Sequence, residues 1–214
     1  MWHAQRLPLR RPQLALEREP FVLNSLMALH HLIIGGQRSG KSSQAERLAR
    51  AWIEQAVGRE VVVVATALPS DDEMRERIER HRLDRDAAFR VVECPLCLGQ
   101  TVREQAAPHR LIVVDCLTLW VSQALTPTCD GSQAAELPDW PALRDDFLVA
   151  MPSLASPLVL VSNEIGSGVV PMGPEVRRVV DELGRLHQDV AQRCEKLTWM
   201  VAGQPFTRDV ERWA

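Results

Sequence analysis

The chain has 214 residues, of which 46% are hydrophobic and 25% charged, proportions typical of one globular domain with a packed core and not of a disordered or fibrous protein. A net charge of −3 excludes the basic balance with which nucleic-acid-binding proteins hold phosphate backbones. No apolar run approaches the roughly 18 residues of a membrane span, and five cysteines without an export signal indicate reduced thiols in the cytoplasm.

The chain divides into a short extension and one folded unit. Residues 1–26 are rich in arginine and proline, which predicts a poorly ordered N-terminal extension, and a single domain is expected over 27–214. In that domain short apolar runs alternate with amphipathic stretches, the pattern of an α/β fold. The runs lack apolar/polar alternation, which indicates strands covered by helices on both faces. The predicted strands are Leu32–Ile34, Val61–Ala65, Arg90–Val92, Leu111–Asp115, Leu158–Ser162 and Thr198–Ala202.

Apolar residues at helical spacing predict the helices. The first helix follows a glycine-rich loop and carries a stripe of Ala45, Leu48, Ala49, Trp52 and Ile53. A second is predicted from Asp71 to Leu83, and another near Pro141–Met151 after a polar surface excursion over 126–140. The last runs from Pro174 to Cys194. Its predicted apolar stripe consists of Val176, Val180, Leu183, His187, Val190 and Cys194, and there His187 is interpreted as a packing or interface residue.

The glycine-rich loop has the order G-x-x-x-x-G-K-S. Its residues are Gly35, Gly36, Gln37, Arg38, Ser39, Gly40, Lys41 and Ser42. Glycines permit a turn whose amides point at phosphates, Lys41 is placed to reach the β and γ oxygens, and the Ser42 hydroxyl is a magnesium ligand. Because a predicted strand precedes the loop and an amphipathic helix follows it, the sequence predicts a nucleoside triphosphate site.

Such a loop usually works with a carboxylate at the end of a neighbouring buried strand. Asp115 ends the run Leu111–Asp115 and is therefore the second predicted magnesium ligand. Alone it fits a strand-end cap equally well. The C-x-x-C pair Cys94 and Cys97 lacks the second pair or the histidines of a zinc site and is interpreted as structural.

A histidine on the second helix has two interpretations. Met74, Ile78 and His81 share one helical face, and Arg82 and Arg85 follow. The arrangement fits a helix edge with solvated arginines. It also fits a neutral imidazole that attacks an α-phosphate while guanidinium groups offset the charge. The residue pattern alone leaves both open.

Five segments together resemble one enzyme family. They are the glycine-rich loop; Ala65-Thr66-Ala67 with Asp72-Glu73-Met74; Arg77-Ile78 with His81, Arg82 and Arg85; Asp115-Cys116-Leu117-Thr118; and the run from Val161 to Pro171. In order and spacing they closely resemble the bifunctional adenosylcobinamide kinase / adenosylcobinamide-phosphate guanylyltransferase family. The resemblance covers most of the chain, from about Leu32 to Gly203.

The resemblance implies a mostly parallel, RecA-like P-loop sheet flanked by helices, assembled as a homotrimer. It also implies two reactions. The amino-propanol hydroxyl of adenosylcobinamide is phosphorylated by ATP or GTP with Mg²⁺, and GMP then passes from GTP to that phosphate through a GMP-histidine intermediate.

The resemblance assigns the site residue by residue. His81 would carry GMP, and Lys41 would act with it in catalysis. The implied nucleotide contacts outside the loop are Ala65, Thr66, Ala67, Arg82, Leu83, Asp84, Arg85, Glu93 and Asp115. Asn163 and Glu164 follow a predicted strand and would face substrate, and Gly166 and Gly168 let this loop approach it closely.

Two other functions fit the residue pattern. One is a P-loop small-molecule kinase without guanylyl transfer, in which His81 is structural. The other is a non-enzymatic switch that uses nucleotide for conformational control.

Overall fold

The structure is a computed structural model that describes residues 30–69, 72–84, 86–126 and 139–211. Side chains are not described at 77 and at 80–84 within the second helix. The predicted extension over 1–26 and most of the excursion over 126–140 lie outside the described residues, as does Arg85.

Seven strands form one sheet. Their bounds are β1 (His31–Gly35), β2 (Glu60–Ala65), β3 (Phe89–Glu93), β4 (Arg110–Asp115), β5 (Leu158–Asn163), β6 (Lys196–Val201) and β7 (Gln204–Asp209). The order across the sheet is β3, β2, β4, β5, β1, β6, β7. Every neighbouring pair is parallel except β6 and β7, which are antiparallel. The topology confirms the predicted mostly parallel α/β sheet and places the carboxyl ends of the parallel strands along one edge.

Six helices connect these strands in the described part of the chain. They are α1 (Lys41–Glu54), α2 (Asp72–Asp84), α3 (Leu98–Gln105), α4 (Leu117–Leu125), α5 (Trp140–Ala150) and α6 (Pro174–Ala191). The Asp139 side chain caps α5 by accepting a hydrogen bond from the Ala142 amide at 3.3 Å. A single turn of 3₁₀ helix, Met151–Ser153, follows α5. No helix among the described ranges is long and apolar enough to cross a membrane.

Two hydrophobic clusters cover the two faces of the sheet. Ala45, Ala49 and Trp52 of α1 pack against one face, as the predicted stripe requires. The other face is covered by α3, α4, α5 and α6, with Trp120 and Phe147 fully buried at its centre. Neighbouring valines of β2 alternate between the clusters, Val61 in one and Val62 in the other, so both faces of this strand are apolar.

The apolar stripe predicted for the last helix was wrong, because the buried face of α6 is rotated about the helix axis relative to that stripe. The residues that α6 buries are Val179, Leu183, Leu186 and Val190, whereas Val176 is 48% exposed. The sequence carries two overlapping stripes that share Leu183 and Val190, and packing against α4 and α5 selects one of them. The helix also ends at Ala191, before the buried Cys194.

Candidate active site

A cleft of about 690 Å³ opens at the carboxyl edge of the sheet. The phosphate loop forms its floor, the ends of β2, β3, β4 and β5 form one side, and α2 forms a wall. This is where ligands of open α/β sheets bind, because helix N-termini and loops converge there. The predicted site residues that line it are Gln37, Arg38, Ser39, Gly40, Lys41, Ser42, Ala65, Ala67, Glu93, Asp115 and Asn163.

The phosphate loop is held in shape by its own lysine. Lys41 Nζ donates to the carbonyl oxygens of Gly35 at 2.9 Å and Gly36 at 2.6 Å. Gly40 begins α1 with a φ of 98°, in the left-handed region that side chains disfavour. The amides that follow it belong to the first turn of α1 and have no partner within the helix, so they favour an anion in the cleft.

Ser42 and Asp115 line the same cleft from different elements, α1 and the end of β4. A hydroxyl and a carboxylate are oxygen ligands of the kind that Mg²⁺ prefers, with phosphates and water completing its shell. No cluster of three or more His, Cys, Asp or Glu side chains that could hold a metal occurs in the described ranges. Ser42 and Asp115 therefore fit an ion whose remaining ligands are phosphate oxygens and water.

Helix α2 presents one face to the cleft. Met74 and Ile78 line the cleft, as do Arg75 and Glu79. Position 81 lies three residues beyond Ile78, on the same helical face by the spacing of an α-helix. The side chain of His81 lies outside the described residues, as do those of Arg82, Leu83 and Asp84.

Thr66 does not line the cleft. It is fully buried, and its hydroxyl donates to the Cys116 carbonyl at 2.8 Å and accepts from the Cys116 amide at 2.9 Å. Gln123 of α4 also donates to the Thr66 carbonyl, at 2.7 Å. Thr66 therefore ties the ends of β2 and β4 together and sets the spacing between Ala65 and Asp115.

The loop after β5 is bonded to the phosphate loop. The Glu164 amide donates to the Gly35 carbonyl at 3.0 Å, the same oxygen that Lys41 contacts. The Asn163 amide donates to Thr118 Oγ1 at 2.8 Å. Glu164, Gly166 and Gly168 lie outside the cleft lining, so the structure brings only Asn163 of the predicted substrate loop into the cleft.

A buried polar chain supports Asn163 from behind. Ser162 Oγ lies 3.1 Å from Thr118 Oγ1 and 2.7 Å from His187 Nε2. Burial lowers the pKa of His187 below its ordinary value, and the carboxylate of Glu164 opposes this effect. The imidazole is therefore neutral near pH 7, which agrees with the packing role predicted for it.

The cysteine in the cleft is not an available nucleophile. Burial, with help from the charge of Asp115, raises the pKa of Cys116 to about 11, so the group is a thiol at neutral pH. Burial likewise raises the pKa of Cys94, which accepts a hydrogen bond from Thr101 Oγ1 at 3.1 Å. Both sulfurs are free of disulfides, and the environment of Cys94 fits the predicted structural role.

Sequence reasoning missed part of the cleft wall. The missed residues are Ser43, Leu68, Pro69, Arg75, Glu79, Val91, Pro95, Cys116, Leu119 and Val161. Helical spacing from Met74 and Ile78 was a usable signal for the α2 residues. No local signal marked Leu119, because α4 has no charged residue and its few polar residues do not form a clear polar face.

These features define a class of protein. The loop joins β1 to α1, an aspartate ends β4, and β5 separates the two strands in a mostly parallel sheet, so the chain has the strand order and loop placement of a P-loop α/β protein. Residues 31–207 match the family model described as cobinamide kinase / cobinamide phosphate guanyltransferase. The chain belongs to that family.

Relatives of known name agree with this assignment. The chain is 45% identical, over 83% of its length and 96% of the relative, to the bifunctional adenosylcobalamin biosynthesis protein CobP of Pseudomonas aeruginosa. It is 32% identical to the CobU protein of Salmonella typhimurium of the same description, over 80% of this chain and 95% of that one. Among solved structures, flagellar accessory protein FlaH of Methanocaldococcus jannaschii aligns with a TM-score of 0.45 and 14% identity, over 87% of this chain and 79% of the other.

Proposed function

We propose that this chain is a transferase that phosphorylates adenosylcobinamide and then guanylylates the product. The family membership supports both activities. The observation that carries the proposal is one cleft that brings together the phosphate loop, Asp115 and the α2 face on which position 81 lies. A kinase alone requires the first two features, whereas a nucleotidyl-histidine also requires the third.

In the first reaction the amino-propanol hydroxyl attacks the γ-phosphorus of ATP or GTP. A phosphomonoester forms, the bond from the γ-phosphorus to the bridging oxygen breaks, the nucleoside diphosphate leaves, and the hydroxyl proton passes to solvent. Lys41 exchanges its two loop carbonyls for β and γ oxygens, where its charge offsets that of the transferring group. The amides of Gln37–Ser42 hold the phosphates in line.

Ser42 and Asp115 would hold Mg²⁺ together with the nucleotide, and the ion would neutralise charge on the phosphate oxygens. Gly35 and Gly36 shape the loop from behind the cleft. Ala65 and Ala67 line the nucleotide side, and Thr66 fixes their spacing from Asp115.

In the second reaction a ring nitrogen of His81 attacks the α-phosphorus of GTP and pyrophosphate leaves. The phosphate of adenosylcobinamide phosphate then attacks the same phosphorus, the phosphorus–nitrogen bond breaks, and adenosylcobinamide-GDP is released. We assign Arg82, Leu83, Asp84 and Arg85 to the nucleotide as well, with Glu93 accepting hydrogen bonds from ribose hydroxyls or guanine. The family resemblance further supports a cytoplasmic homotrimer as the working form.

Product analysis separates the candidate functions. The protein is incubated with adenosylcobinamide, Mg²⁺ and GTP labelled in either the α or the γ position, and the corrinoids are separated by chromatography. The proposal predicts γ label in a corrinoid monophosphate and later α label in a corrinoid-GDP. The first product without the second would indicate a kinase, and nucleotide binding with neither product would indicate a switch.

A further inference from the structure

An exposed apolar strip follows the loop after β5. It consists of Ile165, Val169, Val170, Met172 and Val176, whose exposed fractions are 40%, 96%, 72%, 94% and 48%. Five large apolar side chains within twelve consecutive residues are unusual on a free surface, because their exposure to water is unfavourable. Such strips mark binding surfaces.

The strip is exposed although its backbone is held in place. At one end Glu164 Oε1 accepts hydrogen bonds from the Gly166 amide at 2.7 Å and from Ser167 Oγ at 3.3 Å. At the other end Arg177 Nη1 donates to the carbonyls of Pro171 at 2.9 Å and Met172 at 2.5 Å. The segment is therefore anchored on both sides of Val169 and Val170. A preformed apolar surface loses little conformational entropy when it binds.

The strip follows the cleft directly along the chain. Asn163 lines the cleft and the Glu164 amide is bonded to the phosphate loop, so the strip begins one residue beyond that contact, at Ile165. The cleft, at about 690 Å³, lies within the range of a pocket for one small ligand. A nucleoside triphosphate occupies such a space, so a macrocyclic acceptor must extend one arm into the cleft and rest its ring outside.

We infer that the strip binds the corrin macrocycle of adenosylcobinamide while the amino-propanol arm enters the cleft past Asn163. The inference rests on the proposed function, since it names the surface that holds the acceptor of the two transfers. The macrocycle carries methyl groups and amide arms around a flat ring. Apolar contact with Val169, Val170 and Met172 suits that ring, and the peptide groups of the same loop suit the amides.

The test replaces the outermost apolar side chains by polar ones of similar size. In the double variant Val169→Asn, Met172→Gln, adenosylcobinamide binding to the full chain is measured by titration calorimetry, and the KM for adenosylcobinamide is measured with saturating GTP. We expect the Kd and KM to rise about tenfold, the heat-capacity change of binding to become less negative, and kcat to change less than about twofold. GTP affinity and covalent GMP labelling should equal those of the wild type.

The control is Val149→Asn, which alters a side chain that is 73% exposed on α5 and does not belong to the strip. It should leave every parameter unchanged. A wild-type Kd and KM in the double variant would overturn the inference. So would a change in its oligomeric state on size-exclusion chromatography, because the strip would then be an interface between copies of this chain. A wild-type protein that binds no cobinamide would overturn the proposed function and this inference together.

Discussion

Lys41 has two partners within its own loop, and the proposed function requires it to exchange them for phosphate oxygens. Its ammonium group bonds the carbonyls of Gly35 and Gly36 and so ties the start of the loop to the start of α1. The G-x-x-x-x-G-K-S order predicted this residue from the sequence, because the spacing allows few other conformations. The structural role of Thr66 was harder to predict, since its buried hydrogen-bond partner, Cys116, lies fifty positions away in the sequence.

Replacing Lys41 tests the phosphate-binding role. We expect Lys41→Ala to lower the kinase kcat by at least about 100-fold, because the β,γ contact contributes to the transition state as other charge-stabilising donors do. The matched control is Lys196→Ala, the other lysine in the sequence, which pairs with Asp209 on the exposed side of β6. Kinase assays check both variants. A normal rate in Lys41→Ala would contradict the assignment.

His31 makes stability depend on pH. Burial, with a contribution from Lys196, lowers its pKa to about 4 from the 6.5 of a free histidine. The unfolded chain therefore takes up a proton before the folded chain does, so stability is full above about pH 6.5 and falls as the pH drops toward 4. At 1.36 kcal/mol per pKa unit the loss is about 3 kcal/mol.

Denaturant titrations between pH 7 and pH 4 measure this loss. The comparison is His31→Gln, whose amide does not titrate and can still bond Thr198 Oγ1, the partner that His31 Nε2 meets at 2.7 Å. We expect the wild type to lose about 3 kcal/mol more than the variant over this interval. Equal losses would show that His31 titrates normally in the folded state.

At the scale of elements, the spacing of apolar residues predicted where strands and helices occur better than it predicted which face of a helix is buried. All six predicted strands occur within about two residues of their expected ends, because long buried apolar runs have few alternatives. The sequence did not reveal α3, α4 or β7. Helix α4 is mostly apolar and carries no charged residue, so it lacks the strong contrast between faces that marks an amphipathic helix. Strand β7 is an exposed edge strand that contains Pro205. Its sequence therefore lacks the apolar run by which the other strands were predicted, and proline disfavours a strand assignment.

The contact between α3 and α5 depends on a glycine. A Cβ at Gly99 would lie 2.8 Å from the Phe147 amide nitrogen and from the Asp146 carbonyl carbon, both backbone atoms of α5. We expect Gly99→Ala to destabilise the fold by about 1–3 kcal/mol, since the two helices must move apart.

Gly184 in α6 provides the opposite case. A Cβ there meets nothing within 4 Å, so Gly184→Ala should stabilise the protein by up to about 1 kcal/mol through its higher helix propensity. Thermal unfolding of Gly99→Ala and Gly184→Ala measures both changes in stability. A stabilised Gly99→Ala would show that α3 and α5 have more room than the structure gives them.

At the scale of the whole molecule, the order of strands assembles the site. Residues separated by more than a hundred positions, such as Arg38 and Asn163, line one cleft because their strands end along the same edge of the sheet. The sequence predicted the phosphate loop, Asp115 and Glu93 in this cleft, since each follows a recognisable strand. It gave no sign of Leu119 or Pro95, because their places depend on how α3 and α4 cover the sheet.

The proposed guanylyl transfer requires that the imidazole of His81 receives GMP. The most direct measurement is incubation with α-labelled GTP and Mg²⁺, without corrinoid, followed by denaturing electrophoresis and mass spectrometry of peptides. We predict a GMP adduct that resists base, is lost in acid, maps to His81 and is absent from His81→Ala. The exposed His109→Ala, at the opposite end of β4, should keep it. A wild-type protein without adduct that still transfers GMP, or an adduct that persists in His81→Ala, would contradict the account.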